Sequence, residues 1–414
     1  MIETESGKSN SAADSLLIAV FLCAIATPGL MMLAGSTGES GFEKRRLAAP
    51  PTMPRTLNQS LNFPLKCDAW FGDHFGMRSQ LIRWNNYAQV HWTSTSAYSH
   101  SKTSNDGNFA NQPIRAAADQ QIVPGRNGWL FFNGDRSIDG YRCRRPFRKE
   151  ELARWRQVLV ERQRWLADRS IRYLLVFAPD KHSIYGQHLP ASIRKVGDRS
   201  RLDQLVGLLK ESTDIDVIDL RSSLRRASRK HRTYHRTDSH WNDFGAFIGY
   251  EAMMRRIARW FPSVKARSIN EFTLSHRETD GCDLAMMLGL QDLLREDRID
   301  LKPQFERAAR IRNLDSDTQA QIKISQTDLL DAPTMVVFHD SFMGNLMPYL
   351  CEHFARIFFQ CTFGFDCGAI QQEQPAIVVQ EIVERVLQVH EPSNPSQLSR
   401  EPGRWASNDE TVTR

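Results

Sequence analysis

Thr334-Met335-Val336-Val337-Phe338-His339-Asp340-Ser341-Phe342 carries the plainest structural signal in this chain. The apolar run through Phe338 is uninterrupted, then stops at an acid and a hydroxyl. A run of that kind reads as a strand covered on both faces, as strands of a parallel sheet are. Residues 341–354 follow with a helical pattern, so the sequence predicts strand, turn and helix with Ser341 at the turn. In open α/β sheets such a turn lies at the carboxyl edge, where ligands and reacting groups gather.

The same alternation recurs upstream and downstream. Residues 149–168 are helical, with Leu152, Trp155, Leu159 and Trp165 on one side, and residues 171–178 (IRYLLVFA) form a second apolar strand that Pro179-Asp180-Lys181 breaks. A helix over 201–210, a strand over 216–220, a helix over 243–261 and a strand over 356–359 continue the series. The last pair is a strand over 376–379 and a helix from Glu381, on which Glu381 and Arg385 have the spacing of an i,i+4 ion pair. Residues 121–132 hold Pro-Gly and Asn-Gly turns before a short strand. Strands separated by helices imply βαβ units, hence an α/β fold with a mostly parallel sheet.

The N-terminal part is of another kind. Residues 15–35 read SLLIAVFLCAIATPGLMMLAG, with no charge between Asp14 and Glu39. A bilayer needs about 20 apolar residues per helical span. A cleaved signal peptide is the rival, since Ala24-Ile25-Ala26 resembles a cleavage site, but the apolar run continues to Leu33 and favours an uncleaved anchor. Lys8 on one side and Lys44-Arg45-Arg46 on the other leave the orientation unset by charge. The organisation expected is a tail and transmembrane anchor over 1–38, a linker and membrane-proximal helical segment over 39–115, an α/β domain over 116–388 and a disordered tail over 389–414. Within the second part, 63–91 is an amphipathic helix and 94–111 a polar loop.

Of 414 residues, 41% are hydrophobic and 25% charged, which suits a chain with a substantial core; the net charge is +6. The arginine-rich stretches 142–148 and 225–230 read as solvated faces or as attraction for an anionic polymer or membrane surface. No nucleic-acid-binding signature accompanies them, so nucleic acid is not an expected partner. Six of the seven cysteines lie outside the apolar segment, a number compatible with disulfides in an oxidising compartment. There is no CxxC, and the Cys/His spacing does not predict a metal site.

A serine hydroxyl becomes a useful nucleophile only beside a base and oxyanion donors. Asp238-Ser239-His240-Trp241 supplies an acid and an imidazole two residues apart, so one face of a loop can present both. Asp238 would orient His240, and His240 would take the proton of Ser341. Against this, Asp340 or Ser341 could cap the following helix, Asp238 could cap its own, and His240 could be a buried histidine beside Trp241. Lys181, His182 and Tyr185 follow a strand end, where they either meet an acidic or hydroxyl-rich sugar or close the strand end structurally. Most Trp and Phe belong to the core, although an exposed Trp241 could stack on a sugar ring.

These motifs together resemble the AlgX/AlgJ family of polysaccharide O-acetyltransferases, whose domains are similar to SGNH hydrolases. The resemblance rests on Thr237-Asp238-Ser239-His240-Trp241-Asn242 with Gly245-Ala246, on Asp340-Ser341-Phe342, and on Leu350-Cys351-Glu352-His353-Phe354. Val123-Pro124-Gly125 through Phe131, Ala178-Pro179-Asp180-Lys181 and Gly281-Cys282-Asp283-Leu284-Ala285 agree, and the likeness extends from about residue 40 to 388. It implies an SGNH-hydrolase-like three-layer fold in circularly permuted motif order, since the Asp/His block precedes the serine block. It implies Ser341 as nucleophile, His240 as base and Asp238 as orienting acid. The Ser341 amide, Gly344 and Asn345 are the implied oxyanion candidates, and His339 would touch substrate or pack inside. The implied reaction passes an acetyl group through Ser341 to a hydroxyl of an exopolysaccharide such as alginate, or of another cell-envelope glycan, without metal or cofactor. The implied donor partner is a membrane-bound O-acyltransferase, and the implied location is the inner membrane, single-pass, with the domain in the periplasm. A carbohydrate esterase with the same triad and a non-catalytic glycan-binding accessory protein are the alternatives.

Overall fold

The computed structural model describes residues 11–33, 47–99, 121–314 and 321–395. The chain divides into two compact units, Met1–Trp92 with Met286–Leu290, and the remainder. The first contains α1 (Ser11–Leu33), α2 (Leu57–His74) and the greater part of α3 (Arg78–Ser99). In α1, the 20 residues Ala13–Met32 contain an 18-residue stretch with a mean hydropathy of 2.2, long and apolar enough to cross a membrane. The single helix expected over 63–91 is two, separated at Phe75-Gly76-Met77, where Met77 takes a left-handed φ of 62°. Helix α2 starts inside the expected linker, because Thr56 caps it by accepting from the Gln59 amide. Helix α3 continues to Ser99, into the expected polar loop. The rest of that loop, residues 39–46 of the linker and residues 396–414 of the expected tail lie outside the described residues.

The second unit opens with a hairpin of β1 (Ile122–Pro124) and β2 (Leu130–Phe132), turned at Asn127 and Gly128, both with positive φ. Then come α4 (Ser137–Tyr141), α5 (Lys149–Ala167), β3 (Arg172–Ala178), α6 (Lys181–Tyr185), α7 (Arg201–Ser212), β4 (Asp216–Asp219), α8 (Arg221–Ala227) and α9 (Asp243–Ile257). They are followed by β5 (Phe272–Asp280), α10 (Asp283–Met287, of which Met286 and Met287 count with the first unit), β6 (Arg295–Pro303), β7 (Arg310–Leu314), β8 (Ile322–Gln326), β9 (Thr334–His339), α11 (Met343–Leu350), β10 (Arg356–Cys361), α12 (Cys367–Glu373) and β11 (Ile377–Val383).

Seven strands form one sheet in the order β4-β3-β11-β9-β10-β8-β7. Neighbours from β4 to β10 are parallel, while β8 and β7 add an antiparallel edge. The mostly parallel α/β reading therefore holds, with an edge that the sequence did not announce. Every residue of β11 is buried, and so is all of β9 beyond Thr334. Met335, Val336, Val337 and Phe338 are at most 1% exposed, and burial of each such side chain contributes on the order of 1.5–3 kcal/mol. One face of the sheet is covered by α5 and the Phe365 ring, which meets Trp165, Tyr173 and Phe338. Helix α9 packs on both α8 and α11, forming a second group.

Two expectations at the C-terminus need correction. Strand β11 runs on to Val383, so Glu381 is a strand residue and no helix begins there. Arg385 pairs instead with Asp180 at 2.8 Å. The polar tail is packed at least as far as Asn394, since Ser393 O and Asn394 Oδ1 accept from the buried Arg162 guanidinium. All seven cysteines are free thiols, so the disulfides that their number allowed are not formed.

Candidate active site

Strands β3, β9 and β11 lie side by side and end at one sheet edge, with Val383 opposite Ala178 and Gln380 opposite Phe338. Their three turns bring Asp180-Lys181, Asp340-Ser341 and Glu384-Arg385 to that edge. At the β9 turn the acid and the hydroxyl divide the work. Asp340 is buried, and its carboxylate accepts from the Phe342 amide at 2.9 Å and the Val383 amide at 2.7 Å. It thereby fixes the turn and ties it to β11. Ser341 is exposed and its hydroxyl serves no cap. Its Oγ lies 2.8 Å from Nε2 of His240.

His240 arrives on the loop between α8 and α9. That loop is closed by a β-bridge between Tyr234 and Trp241 and by the Asn242 amide donating to Thr233 O. Asn242 then caps α9 by accepting from Gly245 N. A Cβ on Gly245 would stand 2.1 Å from Thr233 O, so this position has room only for glycine. Within the loop, Asp238 Oδ1 accepts from His240 Nδ1 at 2.8 Å and from His240 N at 2.9 Å. Burial would raise the Asp238 pKa, but the bonds and charge of His240 outweigh it and hold the carboxyl below the usual range. Ser341, His240 and Asp238 thus form a continuous hydrogen-bonded chain, which is the relay a hydroxyl nucleophile requires.

A second carboxylate escaped the sequence reading. Asp283, at the start of α10, accepts from Ser239 N at 2.9 Å and Ser239 Oγ at 2.7 Å, and lies 3.9 Å from His240 Nδ1. Its signal was present, since it sits in the Gly281-Cys282-Asp283 block, but that block gave no hint of which loop it would touch.

The remaining candidates separate clearly. Gly344 is exposed, and its amide donates to Ser341 O at 3.2 Å. Asn345 is half-buried and donates to Trp241 O at 3.2 Å, so it braces the His240 loop. Trp241 is fully buried, with its indole donating to Phe342 O at 3.0 Å, and is not available to stack on a sugar. His339 is buried, with Nδ1 2.7 Å from Asp340 O, and packs rather than facing substrate. Lys181, His182 and Tyr185 are buried too, which removes them from the substrate surface. Tyr185 OH accepts from the Thr233 amide at 2.8 Å. His353, in another of the resembling blocks, accepts or donates at 2.7 Å to Tyr250 OH between α9 and the turn after α11, a structural contact.

Beneath Ser341 lies a set of buried acids, Asp180, Asp340, Glu381 and Glu384, with Arg385 among them. Burial pushes all four upward, Glu381 well above the carboxylate range and Glu384 to about 7. Arg385 answers Asp180 and also lies over the Phe342 ring, 5.3 Å from its centre.

Among the described residues, two groups hold metal-type ligands within 4.8 Å of one another, His235/Cys282/Glu296 and Asp238/His240/Asp283. In the first, one Glu296 oxygen takes Arg232 and the other takes the Thr237 amide and hydroxyl. In the second, His240 Nδ1 faces Asp238. The second is an internally paired network, whereas in the first His235 Nδ1 is buried without a hydrogen-bond partner, 3.9 Å from Glu296 Oε1.

The family model for the SGNH hydrolase-like domain of acetyltransferase AlgX matches residues 122–338. Among solved structures, the chain is similar to the O-acetyltransferase domain of Pseudomonas putida AlgJ, with 17% identity and a TM-score of 0.45 over 67% of this chain and 97% of that one. It is also similar to Bacillus cereus PatB1 carrying a sulfonyl adduct, with 14% identity and a TM-score of 0.49 over 64% and 97%. Pseudomonas aeruginosa AlgX follows at 13% identity and a TM-score of 0.38, over 64% and 66%. No curated protein matches the chain. The matched segment is more than half of the 414 residues and contains the loop of Asp238 and His240, and on that match the chain belongs to the AlgX family of SGNH-hydrolase-like acetyltransferases.

Proposed function

We propose that this protein moves an acetyl group through an ester on Ser341 to a hydroxyl of a bacterial envelope or extracellular glycan. The observation that carries the reading is the unbroken path Asp238 Oδ1 – His240 Nδ1, Nε2 – Ser341 Oγ, with both links at 2.8 Å. Asp238 keeps the proton on Nδ1, which leaves Nε2 to accept the proton of Ser341. As Oγ attacks the acetyl carbonyl, its proton passes to Nε2, and the donor's leaving group then takes it. A glycan hydroxyl next gives its proton to Nε2 and attacks the ester carbonyl, and Oγ recovers the proton as the C–O bond to serine breaks. A positioned base of this kind contributes typically about 10²–10⁴ in rate. Exposure of Ser341 suits an acceptor as large as a polysaccharide.

Helix α1 is long and apolar enough to serve as a single-span anchor in the inner membrane; the reading puts the α/β domain in the periplasm and takes a membrane-bound O-acyltransferase as the acetyl source. The test offers a chromogenic acetyl ester with and without oligosaccharide. Acetylated sugar, lost in Ser341→Ala and His240→Ala, supports the proposal. Acetate as the sole product points to an esterase, and acetylation that survives both substitutions points to an accessory glycan-binding role.

A further inference from the structure

Lys181 is a side chain that the triad does not use, and its setting is unusual. It opens α6 just past the end of β3, is 2% exposed, and sends its ammonium under the loop that carries Asp238 and His240. Nζ donates to three backbone carbonyls of that loop, His235 O at 3.2 Å, Arg236 O at 2.9 Å and Asp238 O at 2.5 Å. Those are all the protons an ammonium has. The rings of Trp129 and Phe131 lie 5.6 and 5.4 Å from Nζ and shield it from water. A loop reversing over 235–238 turns several carbonyls to one side, and a single cation meets them from the end of β3, which β11 separates from Ser341's own strand; the Leu130 amide also donates to Arg236 O.

We propose that Lys181 is a positioning residue for acetyl transfer, its ammonium clamping the 235–238 backbone so that Asp238 and His240 stand in register with Ser341. This rests on the triad reading above. The last carbonyl it holds belongs to Asp238 itself, so loss of the clamp moves the acid and, through it, the imidazole. A displacement of about 1 Å at a reacting group costs on the order of 10²-fold in rate.

The clamp works only while Lys181 is charged. Burial lowers its pKa to about 8, in spite of the opposing charges of Asp238, Asp283 and Glu296 and the nearby Cys282. Asp238 and His235 face it from the loop, Cys282 and Asp283 from the start of α10, Glu296 from β6, and His182 from its own helix. Turnover should therefore decline above about pH 8. Stability should do the reverse on account of this group. Its folded pKa lies below the unfolded value, so the folded state binds fewer protons between those two values and gains stability as pH rises across them. A lysine that merely supported the fold would not divide activity from stability in this way.

The experiment measures kcat, KM and thermal stability from pH 6.5 to 9.5 for wild type, Lys181→Met, Lys181→Gln and Ser341→Ala. The expected result is a wild-type decline in kcat above about pH 8. Folded Lys181→Met or Lys181→Gln should show about 10²-fold lower kcat with little change in KM and no alkaline decline. Wild-type kcat in either folded variant would overturn the proposal, as would a flat wild-type profile, which decides the matter even if both variants fail to fold. Undiminished turnover by Ser341→Ala would instead remove the triad reading, and the clamp with it.

Discussion

Asp238→Asn is the perturbation with the most to say about the relay. The substitution is nearly isosteric, so the loop, closed by Tyr234–Trp241 and held by Lys181, should keep its shape. What changes is the partner of Nδ1. The carboxylate Oδ1 accepts both His240 Nδ1 and His240 N. An amide carries no charge to stabilise the imidazolium, and with its NH2 group toward the ring it forces the proton onto Nε2. In that tautomer His240 cannot accept from Ser341, 2.8 Å away. Serine proteases give the scale for such a wrong tautomer, about 10⁴ in kcat. Asp283, 3.9 Å from Nδ1, offers partial compensation, so a loss of roughly 10³–10⁴ is expected here. The assay is steady-state acetyl transfer from a chromogenic ester to oligosaccharide, with near-UV circular dichroism to verify the fold. A folded Asp238→Asn within about tenfold of wild type would refute the reasoning, for the loss would fall below the range of a positioned base.

Further expectations follow from the same framework. Gly245→Ala should destabilise the His240 loop and lower kcat along with the unfolding midpoint, because its Cβ has no place beside Thr233 O; an unchanged midpoint by denaturant titration would count against this. Arg385→Met should cost about 3–5 kcal/mol by the same titration, since it leaves Asp180 charged and buried without its partner. Glu384 has a folded pKa of about 7, above its unfolded value of 4.5, so its contribution to stability is complete below 4.5 and is lost as pH rises toward 7. Glu384→Gln should therefore lose less stability than wild type between those pH values in parallel melts, and an identical pH slope would contradict it.

The parts legible in the sequence were those where one pattern admits one structure. Strand β9 and strand β3 are apolar throughout because both faces are covered, and the turn after β9 was readable as the place where apolar residues stop. The serine and histidine motifs could be set at loop positions before any geometry was known. Burial of polar residues was not legible. Lys181 reads as a surface residue, since lysine is seldom fully buried without partners, and its partners are backbone carbonyls more than fifty positions away. Trp241 was ambiguous for a similar reason, as one indole can stack on sugar or donate to a distant carbonyl. The β5/β6 hairpin escaped because its strands, FTLSHRETD and REDRIDLKP, are strongly charged and show little apolar alternation. Cross-strand pairs such as Arg277–Asp300 and His276–Asp297 bridge them instead. Glu381 misled because an acid four residues before an arginine suits a helix, whereas here each goes to a buried partner at the end of β11.

The central claim is that acetyl passes through Ser341. Its most direct test is peptide mass spectrometry of protein quenched during turnover with an acetyl donor. The account predicts one acetyl group on the peptide containing Ser341, discharged when oligosaccharide is added and absent from Ser341→Ala. Acetylated oligosaccharide formed at the wild-type rate by Ser341→Ala, with no ester on that peptide in wild type, would contradict it.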